Sequence, residues 1–110
     1  MAAMTKISIL YPYSEESRFD MEYYIKTHMP QSIERLSAGA GFHSVSVERG
    51  VSLTEPGSAP AYVAMCQYVF ASMQHFLDAF IPHAEFLQGD MPNYTDIVPI
   101  IQISEVEIMK

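Results

Sequence analysis

The chain predicts an α+β domain with the element order βαββαβ, and three features of its 110 residues carry that expectation. Four segments, near residues 5–11, 42–50, 61–70 and 97–109, show the two-residue alternation or the Ile and Val richness of strands. Two intervening segments repeat apolar residues at i, i+3 and i+4, the spacing of an amphipathic helix. Between them fall the residues that stop regular structure: Pro12, Gly39 and Gly41, the Gly-, Pro- and Ser-rich run from 52 to 60, and Gly89.

The elements follow in order. Ile7, Ile9 and Tyr11 alternate with Lys6, Ser8 and Leu10, and Pro12 closes this first strand. Asp20 is positioned to cap a helix on which Glu22 precedes Lys26 by four residues, the favourable order for an exposed pair. On that helix Tyr24 and His28 lie one turn apart on one face, with Met21 and Ile25 beside them. Pro30 lacks the N–H that a regular helix needs and biases Met29 away from the α region, so the helix is expected to break just after His28. Ile33 and Leu36 then predict a further turn or two, ended by Gly39 and Gly41.

Val45 and Val47 mark the second strand. The third is apolar or aromatic on both faces, Tyr62, Ala64, Cys66 and Tyr68 on one, Val63, Met65, Gln67 and Val69 on the other. Ser72 is a good N-cap for the second helix, which carries Met73, Phe76, Leu77, Phe80, Ile81, Ala84 and Leu87 on its apolar face and should kink at Pro82. Asp96 to Met109 reads as the last strand. Two right-handed split βαβ crossovers then give a four-stranded antiparallel sheet with both helices on one face, a ferredoxin-like sandwich. The bare face of that sheet is too apolar for water, so a second copy packed sheet to sheet is expected, making a homodimer of the dimeric α+β barrel type, with a short C-terminal segment or a flanking partner as the alternative cover. One domain spans residues 4–110, with Met1 to Ala3 an extension or an alternative start.

Composition excludes several functions. A net charge of −7, with six scattered Lys and Arg, makes nucleic acid and anionic membrane poor partners. A single cysteine, Cys66, rules out an internal disulfide and fits a reducing compartment, with the cytoplasm as the default. Met1 to Met4 lack the basic start, apolar core and cleavage pattern of a signal peptide, and no apolar run approaches membrane-spanning length, so a soluble chain is expected. No metal is expected, because His-x-x-x-His, His-Glu-x-x-His and Cys-x-x-Cys are all absent. No cofactor is expected either, since neither a Cys-x-x-Cys-His nor a Gly-x-Gly-x-x-Gly motif occurs.

Two segments resemble the EthD (ethyl tert-butyl ether degradation) family of the dimeric α+β barrel superfamily: Phe19-x3-Tyr23-Tyr24-x3-His28-Met29-Pro30, and Asp90-Met91-Pro92-Asn93-Tyr94-Thr95-Asp96-Ile97-Val98-Pro99 followed by Gln102-Ile103-Ser104-Glu105. With the strand order, the resemblance covers nearly the whole chain. It implies a small protein of degradation or tailoring pathways whose wider relatives are cofactor-free monooxygenases, isomerases, cyclases and decarboxylases. It does not transfer a reaction.

The dense chemical signal is His28, an imidazole among apolar and aromatic neighbours, read as a general acid or base, with a capping histidine as the alternative. The resemblance places it in the family's helix-one motif. A cavity between both helices and the sheet is expected to take a small apolar or aromatic molecule, with Tyr24, Met29, Tyr68, Phe80, His83 and Asp96 as candidate binding residues. Asp90, Tyr94 and Asp96 sit in a turn, where a carboxylate orients His28 or, as such residues more often do, bonds its own backbone. Cys66 reads as a core residue or a nucleophile. Two functions remain open: a cofactor-independent isomerase, decarboxylase, dehydratase or monooxygenase, and a non-catalytic carrier for a partner enzyme.

Overall fold

The computed structural model describes residues 3–110, so Met1 and Ala2, part of the expected N-terminal extension, lie outside the described residues. Strands β1 (Thr5–Pro12), β2 (Phe42–Arg49), β3 (Tyr62–Phe70) and β4 (Ile100–Glu105) form one sheet in the order β2-β3-β1-β4, every neighbouring pair antiparallel. This is the ferredoxin-like α+β fold. Registration aligns Ile7 with Tyr68 and Ile103, and Ile9 with Cys66 and Ile101, so these side chains share the face toward the helices. The last strand is shorter than its sequence pattern. Pro99 cannot donate to a ladder, and pairing with β1 begins only at Ile100.

Helix α1 (21–37) is continuous, which corrects the expected break at Pro30. It opens as an α turn at Met21–Tyr23, widens through Tyr24–His28, and resumes as α at Met29–Ser37. In the wide stretch the Met29 N–H reaches the Tyr24 carbonyl five residues back. A π-type turn of this kind accommodates a proline, because it relieves the clash between the ring and the preceding turn and no N–H is wanted there. The Asp20 carboxylate accepts from Tyr23 N at 3.0 Å as the N-cap.

Helix α2 (73–89) runs Met73–Phe80, tightens to a 3₁₀ turn at Ile81–His83 around Pro82, and continues at Ala84–Gly89. Ser72 Oγ caps its start by accepting from His75 N at 3.1 Å. The link from α1 to β2 turns at Gly41, φ +82°, where any Cβ would come within 2.5 Å of the His75 ring. Glycine is needed there for both reasons.

The core lies between helices and sheet, built from Ile7, Tyr11, Tyr24, Leu36, Cys66, Tyr68, Phe70 and Tyr94 with their neighbours. Large apolar side chains nevertheless remain exposed along the last strand and tail, among them Val98, Ile100, Ile101, Ile103 and Ile108. Among the described residues, no helix is long and apolar enough to cross a membrane.

Candidate functional site

The entry to α1 is zipped to the segment before β4. Asp20 N donates to Tyr94 O at 2.7 Å, Thr95 Oγ1 to Arg18 O at 2.7 Å, and the Arg18 guanidinium to Pro92 O at 2.7 Å. Phe19 and Thr95 form an isolated antiparallel bridge. These contacts fix the 90–96 segment, which carries Asp90 and Tyr94, against the first turns of α1. The wide turn then sets His28 opposite them.

His28 is 7% exposed, and its Nδ1 lies 2.9 Å from Asp90 Oδ2. Asp90 Oδ1 accepts from the Tyr23 hydroxyl at 2.7 Å and from Asn93 Nδ2 at 2.9 Å. Burial by itself raises the pKa of the Asp90 carboxyl, but the hydrogen bonds from Asn93, Tyr23 and His28 outweigh it and hold the group below the ordinary aspartate value. Asp90 is therefore an anion at neutral pH and accepts, so Nδ1 carries the hydrogen. When unprotonated, the ring then carries its lone pair on Nε2, on the opposite side.

That side faces tyrosines. The Tyr94 hydroxyl is 3.5 Å from Nε2, a long contact, and 2.8 Å from the Tyr11 hydroxyl. Burial pushes the pKa of both phenols up, so both stay protonated as donors. Tyr24 stacks on the imidazole with ring centroids 5.8 Å apart and planes 12° from parallel. His28 is thus held at one nitrogen by a carboxylate and against one ring face by an aromatic side chain, the support that fixes a catalytic imidazole in one tautomer and orientation.

His28 lines a cavity of about 520 Å³ between both helices and the sheet, within the size range of small-molecule sites. Its walls are mostly apolar: Ile7 and Ile9 of β1, Phe76 and Phe80 of α2, and Ile101 and Ile103 of β4. Polar atoms enter at His28, Tyr11 and Tyr94, at the Ser32–Tyr68 hydroxyl pair and at Gln88. Among the described residues no Lys or Arg lines it.

No protein-family model matches the chain, and no curated protein does. Among solved structures, an EthD-like protein from Ralstonia eutropha JMP134 is 40% identical over all of this chain and 97% of its own, with a TM-score of 0.90. The chain belongs to the EthD-like family. An ethyl tert-butyl ether degradation family protein from Bacillus halodurans C-125 aligns at 19% identity over 94% of this chain and 98% of its own, TM-score 0.63. SnoaB, a cofactor-independent oxygenase from Streptomyces nogalater, aligns at 12% identity over 99% and 97%, TM-score 0.57. The last two show the fold alone.

Of the residues singled out from sequence, this EthD-like protein brings His28, Tyr68 and Phe80 to the cavity and places four others elsewhere. Tyr24 is buried behind the His28 ring, among Tyr11, Phe19 and Tyr94. Met29 turns to the other side of α1, where it meets a smaller apolar hollow with Ile25, Pro30, Ile33, Val45 and Val47. His83 is half-buried in the 3₁₀ turn and does not line the cavity. Asp96 is exposed and accepts from Arg18 N at 2.8 Å, the local backbone role that turn aspartates favour. Cys66 is 1% exposed, and burial pushes its thiol up to about 12 even though the Tyr24 hydroxyl pulls the other way. It is a core thiol, not a nucleophile. Among the described residues no group of three or more His, Cys, Asp or Glu is placed to hold a metal ion.

Sequence reasoning underweighted Asp90 and Tyr94 and passed over Tyr11 and Ser32. Ser32 had a signal available: it follows His28 by four residues, hence one turn along the same face.

Proposed function

We propose that this EthD-like protein binds and transforms a small, apolar, oxygenated or aromatic metabolite by acid/base chemistry that needs no cofactor. One observation carries the reading: an Asp90-anchored imidazole that lines an apolar cavity. In the step this supports, His28 Nε2 takes a proton from an acidic O–H or C–H of the substrate. The bonding electrons remain on the substrate as a phenolate or enolate. Asp90 stabilises the positive charge that develops on the ring, and Tyr94, backed by Tyr11, donates a hydrogen bond to the new oxyanion. Returning the proton to another atom completes an isomerisation. Dehydration, decarboxylation and oxygenation of a substrate that itself activates oxygen can begin from the same anion. Tyr68 and Phe80 help to bind the substrate.

The protein works as a homodimer. The apolar side chains left exposed along β4 and the tail away from the cavity, Ile100 and Ile108, support a second copy packed against this region. The acidic surface gives nucleic acid and anionic membrane little hold, and the free thiol suits the cytoplasm.

Deuterium exchange at the enolisable carbon of aromatic ketones, led by 2-tetralone, tests the chemistry without knowledge of the natural substrate. Wild-type protein in heavy water should accelerate exchange, and His28→Asn should abolish the acceleration. Equal rates with wild type and variant would leave a carrier that binds without transforming.

A further inference from the structure

The cavity has a second polar pole. Ser32 Oγ and the Tyr68 hydroxyl are 2.7 Å apart, 5% and 1% exposed, and both line the cavity. Two hydroxyls bring two hydrogens to this pair, and their mutual bond uses one. Neither hydroxyl has another hydrogen-bond partner among the described residues, so one donor remains for whatever occupies the cavity. Ser32 follows His28 by four residues in α1, which puts the two poles on one face of the helix, on the order of 5–6 Å apart at their Cβ atoms. Burial pushes the Tyr68 phenol up as well, which leaves it a donor at neutral pH.

Charge narrows the ligand further. Among the described residues no Lys or Arg lines the cavity, and the Asp90 carboxylate stands against His28 at its edge. A carboxylate or phosphate at the Ser32–Tyr68 end of the ligand would be buried there with no Lys or Arg to pair it, at heavy cost. Gln88 apart, the remaining walls are Ile, Phe, Leu, Met, Val and Pro side chains, suited to a flat apolar body.

We propose that the Ser32–Tyr68 pair is a second anchor, and that the ligand is a neutral, flat phenol or enol bearing an acceptor oxygen about one helical turn from its acidic hydroxyl. The hydroxyl sits at His28 Nε2, and the acceptor oxygen takes the spare hydrogen of the pair. The assignment rests on the cavity reading above and adds to it both the ligand's second oxygen and its lack of charge.

Titration calorimetry on the full chain under nitrogen, with three matched probes, tests it. 4-Methoxy-1-naphthol carries both oxygens, 4-ethyl-1-naphthol replaces the second by a methylene, and 4-hydroxy-1-naphthoate adds a charge at that end. The methoxy compound should bind roughly three- to tenfold more tightly than the ethyl compound, the worth of one hydrogen bond. The naphthoate should bind on the order of a hundredfold more weakly than the methoxy compound. In the double variant Ser32→Ala, Tyr68→Phe, which replaces both partners by apolar groups of similar shape and so spares the fold, the methoxy-to-ethyl ratio should fall to about one. Wild-type protein that binds both naphthols equally, or a double variant that keeps the preference, overturns the second anchor and leaves the His28 pole standing. Protein that binds none of the three overturns both readings.

Discussion

His28 and Asp90 stand sixty-two positions apart in sequence, yet Nδ1 and Oδ2 meet at 2.9 Å with both side chains largely out of water. Their meeting requires the wide turn of α1 on one side and the Arg18–Asp20 zipper on the other. From it follow the tautomer of the imidazole, the direction of its free lone pair and most of the chemistry proposed.

Asp90→Asn removes the anion that fixes the tautomer. Proton-abstraction rates on 2-tetralone should fall by on the order of a hundredfold or more, while far-ultraviolet dichroism stays that of the wild type. A loss smaller than about threefold would make the contact structural.

The same carboxylate gives a pH dependence of stability. Because its pKa is lower folded than unfolded, Asp90 adds stability that is fully present above the ordinary value of 3.8 and is lost as pH falls through the lower folded value. Urea midpoints measured from pH 5 down to pH 2 should therefore decline less steeply for Asp90→Asn than for the wild type.

Two tyrosines near the imidazole should behave differently. Tyr94→Phe deletes a hydroxyl that faces the cavity and should weaken 1-naphthol binding by roughly three- to tenfold. Tyr24→Phe keeps the ring that stacks on His28 and should change that affinity by less than about twofold. The reverse ranking would place the ligand on the wrong side of the histidine.

Cys66 should resist iodoacetamide and aromatic disulfides at pH 8 in the folded protein and react fully once it is unfolded in urea, since almost no thiolate forms four pH units below its pKa of about 12. Rapid labelling of the folded chain would contradict the core assignment.

Gly41→Ala should cost roughly 1–3 kcal/mol in urea unfolding, because the positive φ and the His75 ring both oppose a Cβ. Gly41 does not line the cavity, so binding per folded molecule should hold.

The four strands and two helices were legible because periodicity reports which face of an element is buried, and both Tyr24–His28 stacking and the kink at Pro82 followed from local rules. Pro30 misled because its backbone restrictions admit two outcomes, a broken helix or a widened one, and the choice is made by packing. Met29 was misplaced for a related reason: one residue beyond His28 it points to the other side of α1, toward Val45 and Val47. Asp90 and Asp96 are alike in sequence, both aspartates of one turn. Only the tertiary partner separates them, His28 for the first and the Arg18 backbone for the second. The Ser32–Tyr68 pair required the register between α1 and β3, which no single segment contains.

The ring nitrogens of His28 test the central claim most directly. In protein labelled with ¹⁵N at histidine, with the resonances assigned through His28→Asn, the free state should show a protonated Nδ1 and an unprotonated Nε2. Saturation with 1-naphthol should move the Nε2 resonance by several parts per million and leave Nδ1 bonded to Asp90. A protein that binds 1-naphthol while both His28 nitrogens stay where they were would place the ligand away from the imidazole and contradict the account.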